Sequence, residues 1–338
     1  MQSVESVEEE RSLPGLIILI GTPSSMAAPA SPASEPPAAF RKYAEEGAEE
    51  GADAPRADTV RTHYRLMRAN QNFEFVKAME QRWLPLDKTQ LTVRECFEHL
   101  KSYVDTSDPD TDLPNMVHMI QTAEAMRAAG EPDWMVLMGL VHDLGKAMCL
   151  LPFSSDAAAP PPTSAERAAV GQLGTAEGPQ FALGGDTWIV GAPIPQTAVF
   201  PEFNALCADS KVDEFSRGET GRYRAGVGMM SDELHFAFGH DEYIYRAVRK
   251  HQNETAPAAE RLPEEAFAIL RLHSCYPWHS GGSYRAFHGP DDERLLKAVQ
   301  RFQRYDLYTK HGAKPDVEAL WPYYQSLVDR FLPGKLWW

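Results

Sequence analysis

Apolar residues recur at helical spacing along most of the chain beyond residue 40, and strict alternation is rare. Between Thr59 and Arg82 they fall at Val60, Tyr64, Met67, Phe73, Val76 and Met79. Thr92 to Val104 opens with Thr92-x-x-Glu95, the reciprocal capping pattern of a helix start. Pro114 predicts a helix to about Ala129, with Asp112 near its start and Gly130 as its stop. Asp133 is a candidate cap for a helix from Trp134 to Met148, and Met135, Val136, Leu137, Met138, Leu140 and Val141 make it apolar on nearly every side. A helix without a polar face belongs at the centre of a fold. Further helices are predicted at Ser231–Lys250, Pro263–His273, Asp291–Tyr308 and Asp316–Phe331. Trp188–Val190 is the best strand candidate, and Pro193 and Pro195 keep it short. The expected class is mostly α, a helical bundle with few short strands.

Two segments break this pattern. Residues 1–39 lack periodicity and are rich in Ala, Pro and Ser from Ser24 to Ala39, so a disordered low-complexity leader is expected. Ser154 to Gly185, with its Ala157–Pro162 tract, reads as a surface insertion at about 154–185 within one domain of residues 40–338. At 338 residues, 43% hydrophobic and 24% charged, the chain is long enough for a substantial core. A net charge of −15 works against phosphate backbones and anionic lipids, so neither nucleic acid nor membrane is an expected partner. Cys96, Cys149, Cys207 and Cys275 are widely spaced and form no CxxC pair, which fits reduced thiols in the cytoplasm. The apolar run Leu16–Ile20 follows Glu8-Glu9-Glu10 and is too short for a secretory signal, and no run approaches the roughly 20 apolar residues of a membrane span.

Chemistry concentrates in His142-Asp143-Leu144-Gly145-Lys146, placed by the pattern inside the buried helix. Burying a His, an Asp and a Lys costs stability unless each is paired or bound to metal. An ion-pair network that only orders the core would use the same residues. Four more predicted helices, however, each carry His118, His240, His273 or Asp306 in an apolar context. Four imidazoles and two carboxylates suit two transition metals with a bridging carboxylate, and the absence of thiolates favours Fe, Mn or Zn over a closed structural zinc site.

The order His118, His142-Asp143, Asp306 resembles the HD-domain superfamily, most of whose members are metal-dependent phosphohydrolases. The surrounding words are more specific: Asp112-Leu-Pro-Asn115, Gln121-Thr-Ala-Glu124, Gly139-Leu-Val-His-Asp-Leu-Gly-Lys146, Gly185-Asp-Thr187, Gly239-His-Asp-Glu-Tyr243, His273-Ser-Cys-Tyr-Pro-Trp-His279, Tyr305-Asp-Leu-Tyr-Thr-Lys310 and Pro322-Tyr-Tyr-Gln325. In this order they resemble the myo-inositol oxygenase family, and the likeness spans residues 40–338.

The resemblance implies a mixed-valent Fe(II)/Fe(III) di-iron centre that uses O2 as co-substrate to cleave the C1–C6 bond of myo-inositol, giving D-glucuronate as the first step of inositol catabolism. It carries one iron onto His118, His142, Asp143 and Asp306 and the other onto His240 and His273, with Asp143 bridging. Lys146 joins Asp143 as a catalytic residue. Inositol contacts carry over onto Arg41, Asp105, Asp108, Lys146, Gly185, Asp186, Ser274 and Lys310. Asp241, His279, His288 and His311 match no ligand position and receive no metal role. The Ala/Pro-rich insertion is longer than the family's link between these words, and the leader has no counterpart.

The competing chemistry on the same fold is phosphoester hydrolysis. It would surround the metals with Arg and Lys for anionic oxygens, whereas Asp105-Thr-Ser-Asp-Pro-Asp-Thr-Asp112 lies just before the His118 helix. Residues 1–58 hold 11 acidic and 4 basic residues, so about half of the acidic excess belongs to the leader and its junction with the catalytic fold. Nothing resembling a heptad seam is exposed, which fits a monomer.

Overall fold

The computed structural model describes residues 54–109, 113–150, 180–257, 261–306 and 315–338. The leader 1–39, most of the 154–185 segment, and Arg41, Asp110, Asp112, Lys310 and His311 lie outside the described residues. Helix α1 (Ala54–Asn70) is followed by α2 (Phe73–Trp83), α3 (Val93–His99), α4 (Asn115–Ala128) and α5 (Asp133–Val141). After a long irregular stretch come α6 (His240–Thr255), α7 (Glu264–Leu272), the single turn α8 (Tyr276–His279), α9 (Asp292–Asp306) and α10 (Val317–Phe331). The predicted mostly helical class is the observed one.

Local sequence explains most of the boundaries. Thr92 Oγ1 accepts from Glu95 N at 3.1 Å and Glu95 Oε2 accepts from Thr92 N at 2.8 Å, the capping box read from the sequence. Asn72 caps α2 by accepting from Phe75 N, which divides the single apolar pattern of residues 59–82 into two helices. Gly130, at φ +74°, lets the chain leave α4 through the left-handed region. Pro132, not Asp133, is the cap residue of α5, and no side chain caps it.

The predicted Thr92–Val104 helix ends at His99, and two others are shortened by tertiary demands. The Trp134–Met148 helix stops at Val141: His142 and Asp143 lie in a turn, and a 3-10 helix spans Leu144–Leu150. The break sits where the backbone meets α6, since a Cβ on Gly145 would stand 2.0 Å from the His240 carbonyl oxygen. The Ser231–Lys250 helix begins only at His240 because residues before it bond elsewhere, Ala237 N to Trp188 O and Val190 N to His235 O. That pairing reduces the expected Trp188–Val190 strand to an isolated bridge, Ile189 with Phe236. The one described sheet joins β1 (Gln90–Thr92) antiparallel to β2 (Lys335–Trp337), with Leu91 opposite Leu336.

α5 is the buried centre, as its composition predicted. It packs on α4, α7, α9 and α10, and α7 packs in turn on α6 and α9. Gly139 permits the close α4–α5 approach: a Cβ there would lie 2.9 Å from Ala123 Cα. The five helices that supply the predicted ligands are thus neighbours. No described helix is long and apolar enough to cross a membrane. Gly145→Ala is expected to destabilise the metal-free protein by about 3 kcal/mol, because the clash is with backbone in a packed core. Urea unfolding measures this, and a loss under about 1 kcal/mol would show that the α6 start yields easily.

Candidate metal centre and substrate cavity

His118 projects from the first turn of α4, His142 and His273 cap the C-terminal ends of α5 and α7, His240 opens α6, and Asp306 closes α9. All six candidate ligands, including Asp143, are buried. Backbone carbonyls fix three of the imidazoles. His142 Nδ1 lies 3.0 Å from Gly139 O, His273 Nδ1 lies 3.1 Å from Ile269 O, and His240 Nδ1 lies 2.6 Å from Leu183 O. A carbonyl only accepts, so each Nδ1 carries a proton and each Nε2 faces inward, where a metal ion or a second proton can be held.

The Nε2 atoms form two groups on either side of Asp143. Its Oδ1 lies 3.1 Å from His240 Nε2 and 3.8 Å from His273 Nε2. Its Oδ2 lies 3.5 Å from His142 Nε2 and 4.0 Å from His118 Nε2. Asp306 Oδ1 completes the second group, 2.9 Å from His118 Nε2 and 3.3 Å from His142 Nε2. Donors of His118, His142 and Asp306, and separately of His142, Asp143 and His273, converge closely enough to share one ion each.

The donor set fits metal on chemical grounds. His240 Nε2 and His273 Nε2 stand 2.9 Å apart with both Nδ1 protons already engaged. Two lone pairs so placed, beside an anionic oxygen, repel unless a cation lies between them. Two ligands at ~2.1 Å from an ion and at right angles lie ~3 Å apart, which is the spacing found.

Lys146 sets the field on the cavity side. Its Nζ lies 2.8 Å from Asp143 Oδ2, 2.8 Å from Asp105 Oδ2 and 3.2 Å from Asn115 Oδ1. Burial alone would strip its proton, but the two carboxylates outweigh burial and hold its pKa above the ordinary lysine value. Burial likewise opposes ionisation of Asp143, Asp306 and Asp105. Lys146 and His142 overcome it at Asp143, His118 and His142 at Asp306, and Lys146 with Ser107 at Asp105, so all three stay well below the usual carboxylate range.

A cavity opens directly onto these donors. Asp105, Asp108, Lys146, Gly185 and Ser274, the contacts implied by the resemblance, line it, and so do Tyr64, Ser107, Leu113, Asn115 and Tyr276, which were not singled out as contacts. Tyr64 fell on an apolar helical face and read as core; it is both buried and on the wall. Asp186 lies behind the wall, accepting from Val199 N at 2.8 Å and from Arg68 Nη2 at 3.3 Å, and burial pushes its carboxyl up to about 7 against the pull of Arg68. Asp241 is buried beside His240 and remains outside both donor groups. His279 turns its Nε2 to His273 O at 2.8 Å, and His288 accepts from Trp278 Nε1 at 2.7 Å. No arginine lines the cavity among the described residues.

Sequence comparison matches residues 57–159 and 172–338 to the family described as myo-inositol oxygenase. The chain belongs to the myo-inositol oxygenase family. It is similar to the inositol oxygenase of Danio rerio, 36% identical over 83% of this chain and 89% of the relative. The inositol oxygenase of Homo sapiens is 35% identical, covering 89% and 91%. The probable inositol oxygenase of Oryza sativa subsp. japonica is 34% identical, covering 89% and 85%. Family membership gives the His and Asp donor groups a metal-dependent oxygenase as their setting.

Two buried histidines outside the donor groups are expected to make the fold acid-labile. Burial pushes His63 and His279 down to about 4. An unfolded imidazole near 6.5 binds more protons than the native one between these values, so stability is lost as pH falls from about 6.5 toward 4. Unfolding free energy of the metal-free protein is expected to drop between pH 7 and pH 5, by up to ~1.4 kcal/mol per unit of displacement for each histidine. His142, whose pKa is raised, works in the opposite direction. A free energy flat across this range would show that neither His63 nor His279 is held neutral.

Proposed function

We propose that this chain is an inositol oxygenase that consumes O2 to cleave the C1–C6 bond of myo-inositol, forming D-glucuronate. The observation that carries this reading is the position of Asp143, one carboxylate with its two oxygens turned to two separate groups of imidazoles at the floor of a polar cavity. In a chain of this family, that arrangement supports two iron ions with Asp143 as the bridge. His118, His142 and Asp306 would hold one, and His240 and His273 the other. The mixed-valent Fe(II)/Fe(III) state is adopted from the resemblance. The bound pair supplies Lewis acidity toward a diol and a place for O2 to react.

The protein's own residues do the recognition. A neutral polyol offers hydroxyls and no charge, so it needs a wall of short donors and acceptors. Asp105, Ser107, Asp108, Asn115 and Ser274 supply these, and the backbone at Gly185 comes close because no side chain intervenes. Arg41, Asp186 and Lys310 remain proposed contacts from the resemblance. Lys146, kept charged by Asp105 and Asp143, brings a proton and a positive charge to the donor group that Asp143 Oδ2 faces. That charge favours an ionised hydroxyl over a neutral one beside it. Leu113 and Tyr276 add apolar surface to the wall. The enzyme is read as a cytoplasmic monomer without nucleic-acid or membrane partners.

Purified protein reconstituted with ferrous iron and a mild reductant is expected to take up O2 when myo-inositol is added and to release glucuronate in proportion. Absence of turnover, with phosphate released from a nucleotide or phosphoester, would overturn the assignment in favour of an HD-type phosphohydrolase.

A further inference from the structure

Two loops from distant parts of the chain contribute to the cavity wall, residues 105–108 through Asp105, Ser107 and Asp108, and residues 184–186 through Gly185. Gln180 anchors the first through its side chain, with Oε1 accepting from Thr106 N at 3.2 Å and Nε2 donating to Val104 O at 3.0 Å. The second loop has a different tie. His63, buried on α1, places Nε2 3.2 Å from Gly184 O and Nδ1 3.1 Å from Thr106 Oγ1. Because the carbonyl can only accept, Nε2 carries the proton and Nδ1 accepts from the Thr106 hydroxyl. One tautomer therefore satisfies both loops and joins them.

The surrounding packing gives this link leverage on the wall. Gly185 sits at φ +94°, and a Cβ on it would meet Met67 Sδ at 2.7 Å and His63 Nε2 at 3.0 Å, so its backbone presses on the α1 face that carries both residues. A Cβ on Gly184 would stand 3.0 Å from the Asp105 carboxylate oxygens. Asp105 is itself held by Lys146 at 2.8 Å and by Ser107 Oγ at 2.6 Å. A shift of Gly184 thus moves the wall against a fixed carboxylate. His63 does not line the cavity; its neighbour Tyr64 does.

We propose that His63 is a positioning residue for substrate recognition, fixing the 184–186 loop against the 105–108 loop and so setting the shape of the polyol-binding wall. The proposal rests on the inositol oxygenase reading. Its test measures the steady-state KM and kcat for myo-inositol, metal content per chain, and anaerobic equilibrium dialysis with labelled myo-inositol on the iron-loaded full chain. His63→Leu is expected to raise KM and the dissociation constant about tenfold, the usual worth of a lost buried hydrogen-bond link. Its kcat should stay within about twofold and its metal content should match wild type, since uniform binding is what is lost. His63→Gln, whose amide can donate to Gly184 O and accept from Thr106, is expected to recover most of the loss. Thr106→Val should move the same two constants by about threefold.

Unchanged KM and dissociation constant in His63→Leu, or a loss confined to kcat or metal content, would overturn the proposal. If His63→Leu does not fold, Thr106→Val decides alone, with a raised KM supporting the link and an unchanged one overturning it. Wild-type protein that binds iron and fails to oxidise myo-inositol would overturn the functional reading instead.

Discussion

Asp143→Ala is expected to leave the protein with almost no bound metal and to lower inositol turnover more than about a thousandfold, beyond the tenfold to hundredfold typical of residues that merely orient ligands. Both oxygens are in use, Oδ1 toward His240 and His273 and Oδ2 toward His118 and His142. Alanine removes an anionic donor from each group at once. His240 and His273 are then left with two neutral nitrogens and no carboxylate. The other group keeps Asp306 but loses half its negative charge. His240→Ala makes the informative comparison, because it subtracts from one group only and should retain about one ion per chain. Elemental analysis after reconstitution, with thermal unfolding to confirm the fold, distinguishes the two. An Asp143→Ala protein that holds two ions would show that the bridge lies elsewhere.

The legible part of the fold is the part written in local chemistry. The Thr92–Glu95 box, the Gly130 exit and the all-round apolar face of α5 are decided within a few residues, and each appears where the pattern put it. What escaped is decided by partners far away in sequence. Residues 142–148 have helical composition, but Gly145 must lie against the His240 carbonyl, and no local pattern registers a neighbour nearly a hundred residues distant. Strands β1 and β2 are three residues each and pair across most of the chain, so neither has a period to detect.

At the candidate site the same division holds. His and Asp in apolar helical contexts are costly enough to stand out, and all six such candidates converge, His240 through its contacts with Asp143 and His273. Tyr64 and Asn115 do not stand out, because an aromatic at helical spacing and an Asn near a helix start each have an ordinary explanation. Asp186 is a different case: the resemblance made it a contact, and its carboxylate is held by Arg68, over a hundred residues earlier, and by Val199 N, partners that no local pattern registers. His63 had no signal at all, since its partners are a carbonyl and a hydroxyl on two separate loops.

Lys146→Met should leave ligand count intact yet reduce turnover about a hundredfold to a thousandfold, the scale of losing one oriented charge at a reacting centre. The stability of the metal-free variant gives a second, independent reading with a definite sign. In the wild type, Lys146 holds the Asp105 and Asp143 carboxyls below their unfolded values, so their stabilisation is present above about pH 4 and is lost as pH falls through the depressed native values. Without the cation, burial is the dominant influence on Asp105, and its carboxyl rises above the unfolded value instead. Ionising it then costs stability as pH rises, where in the wild type it contributes. The deficit of Lys146→Met relative to wild type should therefore be small near pH 4 and grow toward pH 7, to about 3 kcal/mol or more, as when one partner of a buried pair is removed. Methionine preserves most of the stem volume, so lost packing contributes little. Urea unfolding of both metal-free proteins at several pH values measures the difference. A deficit constant across this range would mean that Lys146 acts through packing and not through its charge.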